Sequence, residues 1–153
     1  MISIDVEMAW GVIHRRQIAR HYTYRKEREL IGRLLKLFER YEIRAIWAVV
    51  GHLFLESCQA IEGIKHPEIV RPAYSWLEGD WFDPDPCSSV EADHIWYGKD
   101  IVEQIRQYGD SQEIGSQTFS HVIVGDDECG PASFDSELGV CRQLAESTGI
   151  KCY

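Results

Sequence analysis

Two acidic side chains, Asp5 and Glu7, stand two residues apart in the opening segment ISIDVEMAW. Side chains in an extended strand repeat every second residue, so both carboxylates project from one face, near the C-terminal end of that strand. Held together, two carboxylates can divide the work of a hydrolytic site. One ligates a metal, and the other, its charge raised in energy by its neighbour, takes a proton as general base. The same spacing also fits a solvated face or a buried salt bridge. A second polar pair lies in EIGSQTFSH, where Gln117 and His121 are four residues apart. On a helical turn this spacing sets their Cβ atoms roughly 5 to 6 Å apart, which suits two ligands on one ion. Imidazole is a common metal ligand, whereas a glutamine amide oxygen is neutral, weak for zinc and more at home beside harder cations. A hydrogen-bonded structural histidine at a strand end is the alternative.

Other side chains could contribute at the same end of the molecule. His52 directly follows the apolar run in VVGHLF, where it either lines that end or caps the next helix. Tyr74, Trp76, Trp81, Phe82, Trp96 and Tyr97 interleave with Glu78, Asp80, Asp83 and Asp85. Such a mixture suits stacking on sugar rings while carboxylates bond hydroxyls, with Trp76, Trp81 and His52 as the substrate contacts. It equally suits a loop that packs its own aromatics. No Gly-rich phosphate loop, GxSxG elbow or zinc-finger spacing occurs. Cys58, Cys87, Cys129, Cys141 and Cys152 are widely spaced and odd in number, and read as reduced structural thiols.

The elements that must position these groups follow from periodicity. Ile2, Ile4, Val6 and Met8 alternate with Ser3, Asp5 and Glu7, which predicts a strand over Ile2 to Met8. Leu30, Ile31, Leu34, Leu35 and Phe38 predict an amphipathic helix from Arg25 to Glu42, with Glu29 and Arg33 paired on its wet side. IRAIWAVVG, from Ile43 to Gly51, reads as a strand buried on both faces. A long excursion loop, about 54–96, comes next. Ile101, Val102, Ile105 and Tyr108 predict a second helix stopped by Gly109, and Glu113 to Ser116 a third strand. Pro131 opens a third helix with Phe134, Leu138, Cys141, Leu144 and Ala145 as its buried stripe; Gly149 ends it and Ile150 to Tyr153 begin a fourth strand. Alternating strands and helices predict one α/β domain over residues 1–153 with mostly parallel strands and its chemistry at the strand C-terminal ends.

A chain of 153 residues can bury a core without disulfides. Its net charge of -9 argues against a nucleic-acid partner, and no apolar run is long enough to span a membrane. The opening residues lack the basic-then-apolar layout of a signal peptide, so the expected location is the cytoplasm. Four strands are too few to close a parallel barrel. The sequence therefore reads as truncated at the C-terminus, or as a subunit completed by a partner chain or by homo-oligomerisation.

With SIDVE, IWAVVGHLF and EIGSQTFSH in this order, the sequence resembles the polysaccharide deacetylase (NodB-homology) family of carbohydrate esterases, over most of its length. The resemblance implies a partial (β/α) barrel. It also implies a divalent metal, usually zinc, held by an acid and two histidines, and removal of acetyl groups from amino sugars. The family's first motif carries a catalytic-base Asp and a metal-binding Asp. Asp5 matches the base, Val6 stands at the second acid, and the metal role passes to Glu7. In the family's H-[ST]-x-x-H motif His121 is the second histidine and Gln117 stands in place of the first, which weakens the expected zinc site. The family's later motifs, which support the oxyanion and supply the general acid, have no counterpart. The resemblance therefore implies a hydrolase with carbohydrate as substrate, incomplete or inactive as this chain alone. A non-catalytic carbohydrate-binding or interaction module and a hydrolase of small non-peptide amides are the alternatives.

Overall fold

Three short segments pair into one parallel sheet, one face of which is mostly apolar and buried. A computed structural model describes residues 2–15 and 23–150. The strands are β1 (Ile2–Val6), β2 (Ala45–Val49) and β3 (Gln112–Ser116), in the order β1-β2-β3. Val6, Val49 and Ser116 share a rung, so Glu7 and Gln117 are the first residues beyond it on the two outer strands. One face carries Val6, Trp47, Val49 and Ile114, all buried. The other carries Ser3, Asp5 and Glu113, all exposed.

Three α-helices accompany the sheet: α1 (Thr23–Arg40), α2 (Lys99–Arg106) and α3 (Pro131–Thr148). Helix α1 buries Ile31, Leu35 and Phe38, laying the Phe38 ring against Trp47. The expected Glu29–Arg33 pair is present at 3.7 Å on its solvent side. Arg28 reaches from α1 to Asp100 at the start of α2 and to the carbonyls of His94 and Tyr97, tying the helix to the end of the excursion. Under the sheet, Gln112 accepts from Trp47 Nε1 at 2.9 Å and donates to the Ile43 carbonyl at 2.8 Å, so this buried amide has partners at both ends.

Four details differ from the sequence expectation. Strand β1 stops at Val6 because Met8 takes a left-handed backbone (φ 52°) and opens a 3₁₀ segment, Met8–Arg15. Helix α2 ends at Arg106, and Gly109 (φ 61°) begins a short 3₁₀ turn instead of capping the helix. On α3 the buried stripe is Ser133, Glu137, Cys141 and Ala145; Leu138 is exposed and Phe134 and Leu144 only half-buried. The stripe is rotated because Glu137 turns inward to bond the loop after β3. Of the expected fourth strand, Ile150 is described and is not in a strand, and 151–153 lie outside the described residues. Gly149 does end α3, in a left-handed conformation (φ 70°).

Between β2 and α2 the chain runs through a 3₁₀ turn, Gly51–Phe54, and a long stretch whose only pairings among the described residues are two isolated bridges, Ser57 with Ser89 and Ile61 with Ile64. The stretch is nevertheless packed, with Ile69, Tyr74, Trp81, Phe82, Trp96 and Tyr97 in the core. Among the described residues no helix is long and apolar enough to cross a membrane.

At Gly51, just after β2, the loop after β3 and α3 both come close. A Cβ there would lie 2.7 Å from Cys141 Sγ and 3.0 Å from the Phe119 Cα. Gly51→Ala is therefore expected to destabilise the fold by about 1–3 kcal/mol through overpacking, read as a lower urea midpoint with an unchanged slope.

Candidate functional site

Backbone hydrogen bonds clamp the three strand ends together. Val50 N donates to Val6 O at 3.1 Å, Gln117 N to Val49 O at 3.1 Å, Gly51 N to Thr118 O at 2.8 Å and His52 N to Phe119 O at 2.8 Å. Glu7 and Gln117 thus flank Val50 from strands separated by two inter-strand spacings, roughly 9 to 10 Å. Both side chains are long, and they meet over the intervening strand. Gln117 Nε2 donates to Glu7 Oε1 at 2.8 Å, and His121 Nε2 lies 3.1 Å from the same oxygen. Gln117 Nε2 and His121 Nε2 are 3.5 Å apart. The group is partly open to solvent, with His121 and Glu7 side chains 26% and 31% exposed.

The backbone around this trio is held in unfavourable conformations. Met8 (φ 52°), Thr118 (φ 59°) and His121 (φ 59°) all lie in the left-handed region without being glycine. Such strain persists only where surrounding contacts impose it, and it concentrates at functional sites. Here the contacts come from α3: Glu137, fully buried, accepts from Ser120 N at 2.7 Å and from Ser120 Oγ at 2.6 Å. Burial pushes the Glu137 carboxyl up, and the bonds from Ser120 partly offset this. Trp81 Nε1 adds a bond to Ser120 Oγ at 3.0 Å.

The predicted residues divide clearly. Glu7, Gln117 and His121 come together. Asp5 lies on the same face one period earlier, on the rung of Ala48 and Gly115, exposed and not hydrogen-bonded to the trio. Trp81 is buried, with its indole directed at Ser120, and so offers no open face to a sugar. Trp76 is exposed, stacked on Tyr74 at 4.8 Å and bonded through Nε1 to Asp126 at 2.8 Å. His52 is fully buried, away from any surface at which a substrate could reach it.

His52 instead belongs to a second group. His52, Cys58, His66 and Asp85 bring one ligand atom each to within 4.8 Å of one another, and the group could hold a metal ion. Asp85 Oδ2 is 2.9 Å from His66 Nε2 and 3.5 Å from His52 Nε2. Burial lowers the pKa of His52 despite Asp85. Burial also disfavours a charged His66, but its bond to Asp85 and the contact with Cys58 outweigh this and raise it to about 9. Burial opposes the Asp85 charge as well, yet the nearby His52 ring and the hydrogen bond with His66 hold its carboxyl well below the ordinary range. Cys58, His66 and Asp85 sit 6 to 33 residues from His52 in no short motif, so spacing gave no signal. A packed loop rich in His, Cys and Asp beside buried aromatics is the one cue the sequence offered.

Comparison with protein-family models, curated proteins and solved structures returned no match.

In chelator-treated protein, the His66–Asp85 pair sets a pH window. Asp85 is depressed, so its contribution is present above about pH 4 and lost as pH falls. His66 is raised, so its contribution is complete below about pH 6.5 and lost as pH climbs through about 9. Urea midpoints should fall between pH 6.5 and 9.5 by the equivalent of about 2 kcal/mol, and His66→Asn should flatten that fall.

Proposed function

We propose that the chain is a metal-dependent hydrolase of the polysaccharide deacetylase type, removing acetyl groups from amino sugars. The observation that carries this reading is the convergence of Glu7, Gln117 and His121 on one point at the C-terminal ends of two parallel strands. Active sites of α/β domains lie at that end. The sequential strand order, with one face buried and the opposite face carrying exposed Ser3, Asp5 and Glu113, supports a partial (β/α) barrel.

The donor set fits a cation. Gln117 Oε1 is buried and has no hydrogen-bond partner. Half a turn of the amide would exchange it with Nε2 and bring three acceptors, from Glu7, Gln117 and His121, to one point. That arrangement is favourable only around a positive charge. Glu7 and His121 would hold the ion with Gln117 as a weak third ligand, and the metal, most simply zinc, would supply Lewis-acid polarisation of the amide carbonyl. Asp5, exposed one period earlier on the same face, is free to accept the proton of the attacking water. Trp76 offers the open aromatic face against which a sugar ring would stack.

One observation favours a second reading, a carbohydrate-binding module with a degenerate metal site. In the present rotamer Gln117 and His121 already satisfy Glu7 Oε1 without any cation. Acetate release from N-acetylglucosamine oligomers with added zinc or cobalt separates the two. The hydrolase reading expects release that His121→Ala abolishes and Gln117→His raises roughly tenfold or more, since it restores a strong ligand. Oligomer binding without release, even by Gln117→His, would leave the binding module standing.

A further inference from the structure

The buried group beside the sheet has features that a hydrogen-bonded cluster alone does not require. His52 Nδ1 lies 3.1 Å from the Trp96 carbonyl, which can only accept, so Nδ1 carries the proton and the neutral ring turns its Nε2 lone pair inward. That Nε2 is buried and has no hydrogen-bond partner; the Asp85 oxygen 3.5 Å away is itself an acceptor. An uncompensated acceptor facing a carboxylate inside a protein is costly unless a cation lies between them.

Three of the four donors are hydrogen-bonded from behind, and the fourth, His66, has a carboxylate behind it. Glu68 Oε1 lies 3.4 Å from His66 Nδ1, on the far side of the ring from Asp85. Cys87 N donates to Asp85 Oδ1 at 3.0 Å, leaving Oδ2 for the cluster. Tyr97 Oη accepts from Ser88 N at 2.7 Å and lies 3.3 Å from Cys58 Sγ, so its proton is available to the sulfur. Partners of this kind fix the tautomer and direction of metal ligands. Of the separations from Asp85 Oδ2, 3.5 Å to His52 and 3.7 Å to Cys58 match the edges of a tetrahedral site, whereas His66, at 2.9 Å, stands at hydrogen-bond distance and would move outward by about 0.4 Å around an ion. A tetrahedron with bonds of about 2.0 to 2.3 Å has edges of roughly 3.3 to 3.7 Å.

We propose that His52 Nε2, Cys58 Sγ, His66 Nε2 and Asp85 Oδ2 form a tetrahedral structural zinc site, separate from the strand-end group. Two imidazoles, a thiolate and a carboxylate form a closed set with no position left for substrate, and three of the four residues are buried, as a structural site requires. The site staples the excursion to the end of β2. It also supports Phe119, whose ring packs 5.5 Å from His52 and 5.1 Å from His66 and whose neighbours in sequence carry Gln117 and His121. The assignment does not depend on the hydrolase reading, because no ligand is shared.

The test is zinc content of the purified full chain after gel filtration, with the absorption spectrum of the cobalt-exchanged protein. About one retained zinc per chain is expected, kept in His121→Ala and lost in Cys58→Ser. Cobalt should give intense tetrahedral visible bands and a sulfur-to-cobalt charge-transfer band that survives Cys87→Ser. The wild-type spectrum stands even if Cys58→Ser fails to fold. Absence of retained zinc, a spectrum without sulfur ligation, a metal that leaves with His121→Ala, or a charge-transfer band that leaves with Cys87→Ser would each overturn the assignment. So would a Cys58–Cys87 disulfide in a non-reduced peptide map, since these sulfurs lie 3.1 Å apart and a disulfide removes the thiolate.

Discussion

A single carboxylate oxygen, Glu7 Oε1, joins the end of β1 to the loop after β3, and the arrangement of the strand-end group depends on it. It lies within hydrogen-bond distance of Gln117 and His121 although the two strands are not neighbours. The reach is possible because Glu and Gln are long enough to meet over Val50, where shorter residues would not. Keeping them there requires the left-handed backbone at Met8, Thr118 and His121, which costs of order 1 kcal/mol or more at each position. Backbone bonds from β2 and the buried Glu137 carboxylate hold that loop in place.

The loop has a second support from below. Phe119 turns inward between Gln117 and His121 and packs on His52 and His66, so the long excursion after β2 is a buttress for the strand-end group as well as a surface feature. This accounts for its unusual make-up. Most of its aromatics are core residues, its single lysine at Lys65 holds the carbonyls of Phe82 and Asp83, and Arg71 lies over the Phe82 ring at 4.6 Å. A segment without regular secondary structure must satisfy its backbone through side chains, and here basic residues do so.

Local patterns were legible in the sequence where local physics decides them. Alternation located β1, a continuous apolar run located β2 and the short EIGS segment β3, helical periodicity located all three α-helices, and Pro131 and Gly149 marked the bounds of α3. The rotated face of α3 was not legible, because Glu137 is buried by a partner seventeen residues away that no periodicity reveals. For the same reason Trp81 and His52 looked like surface contacts and proved to be interior. Their partners, Ser120 and Asp85, are distant in sequence. Glu7, Gln117 and His121 were legible because strand ends in a parallel sheet converge whatever the intervening chain does.

The account rests on the strand-end trio being a cation site whose third position is filled by an amide. A calorimetric zinc titration of the wild-type chain, His121→Ala and Gln117→His, each with any tightly held metal already in place, tests this most directly. The account predicts a weak zinc equivalent in the wild type, absent from His121→Ala and about a hundredfold tighter in Gln117→His. Identical titrations for all three proteins would contradict it, leaving the trio a hydrogen-bonded clasp between strands.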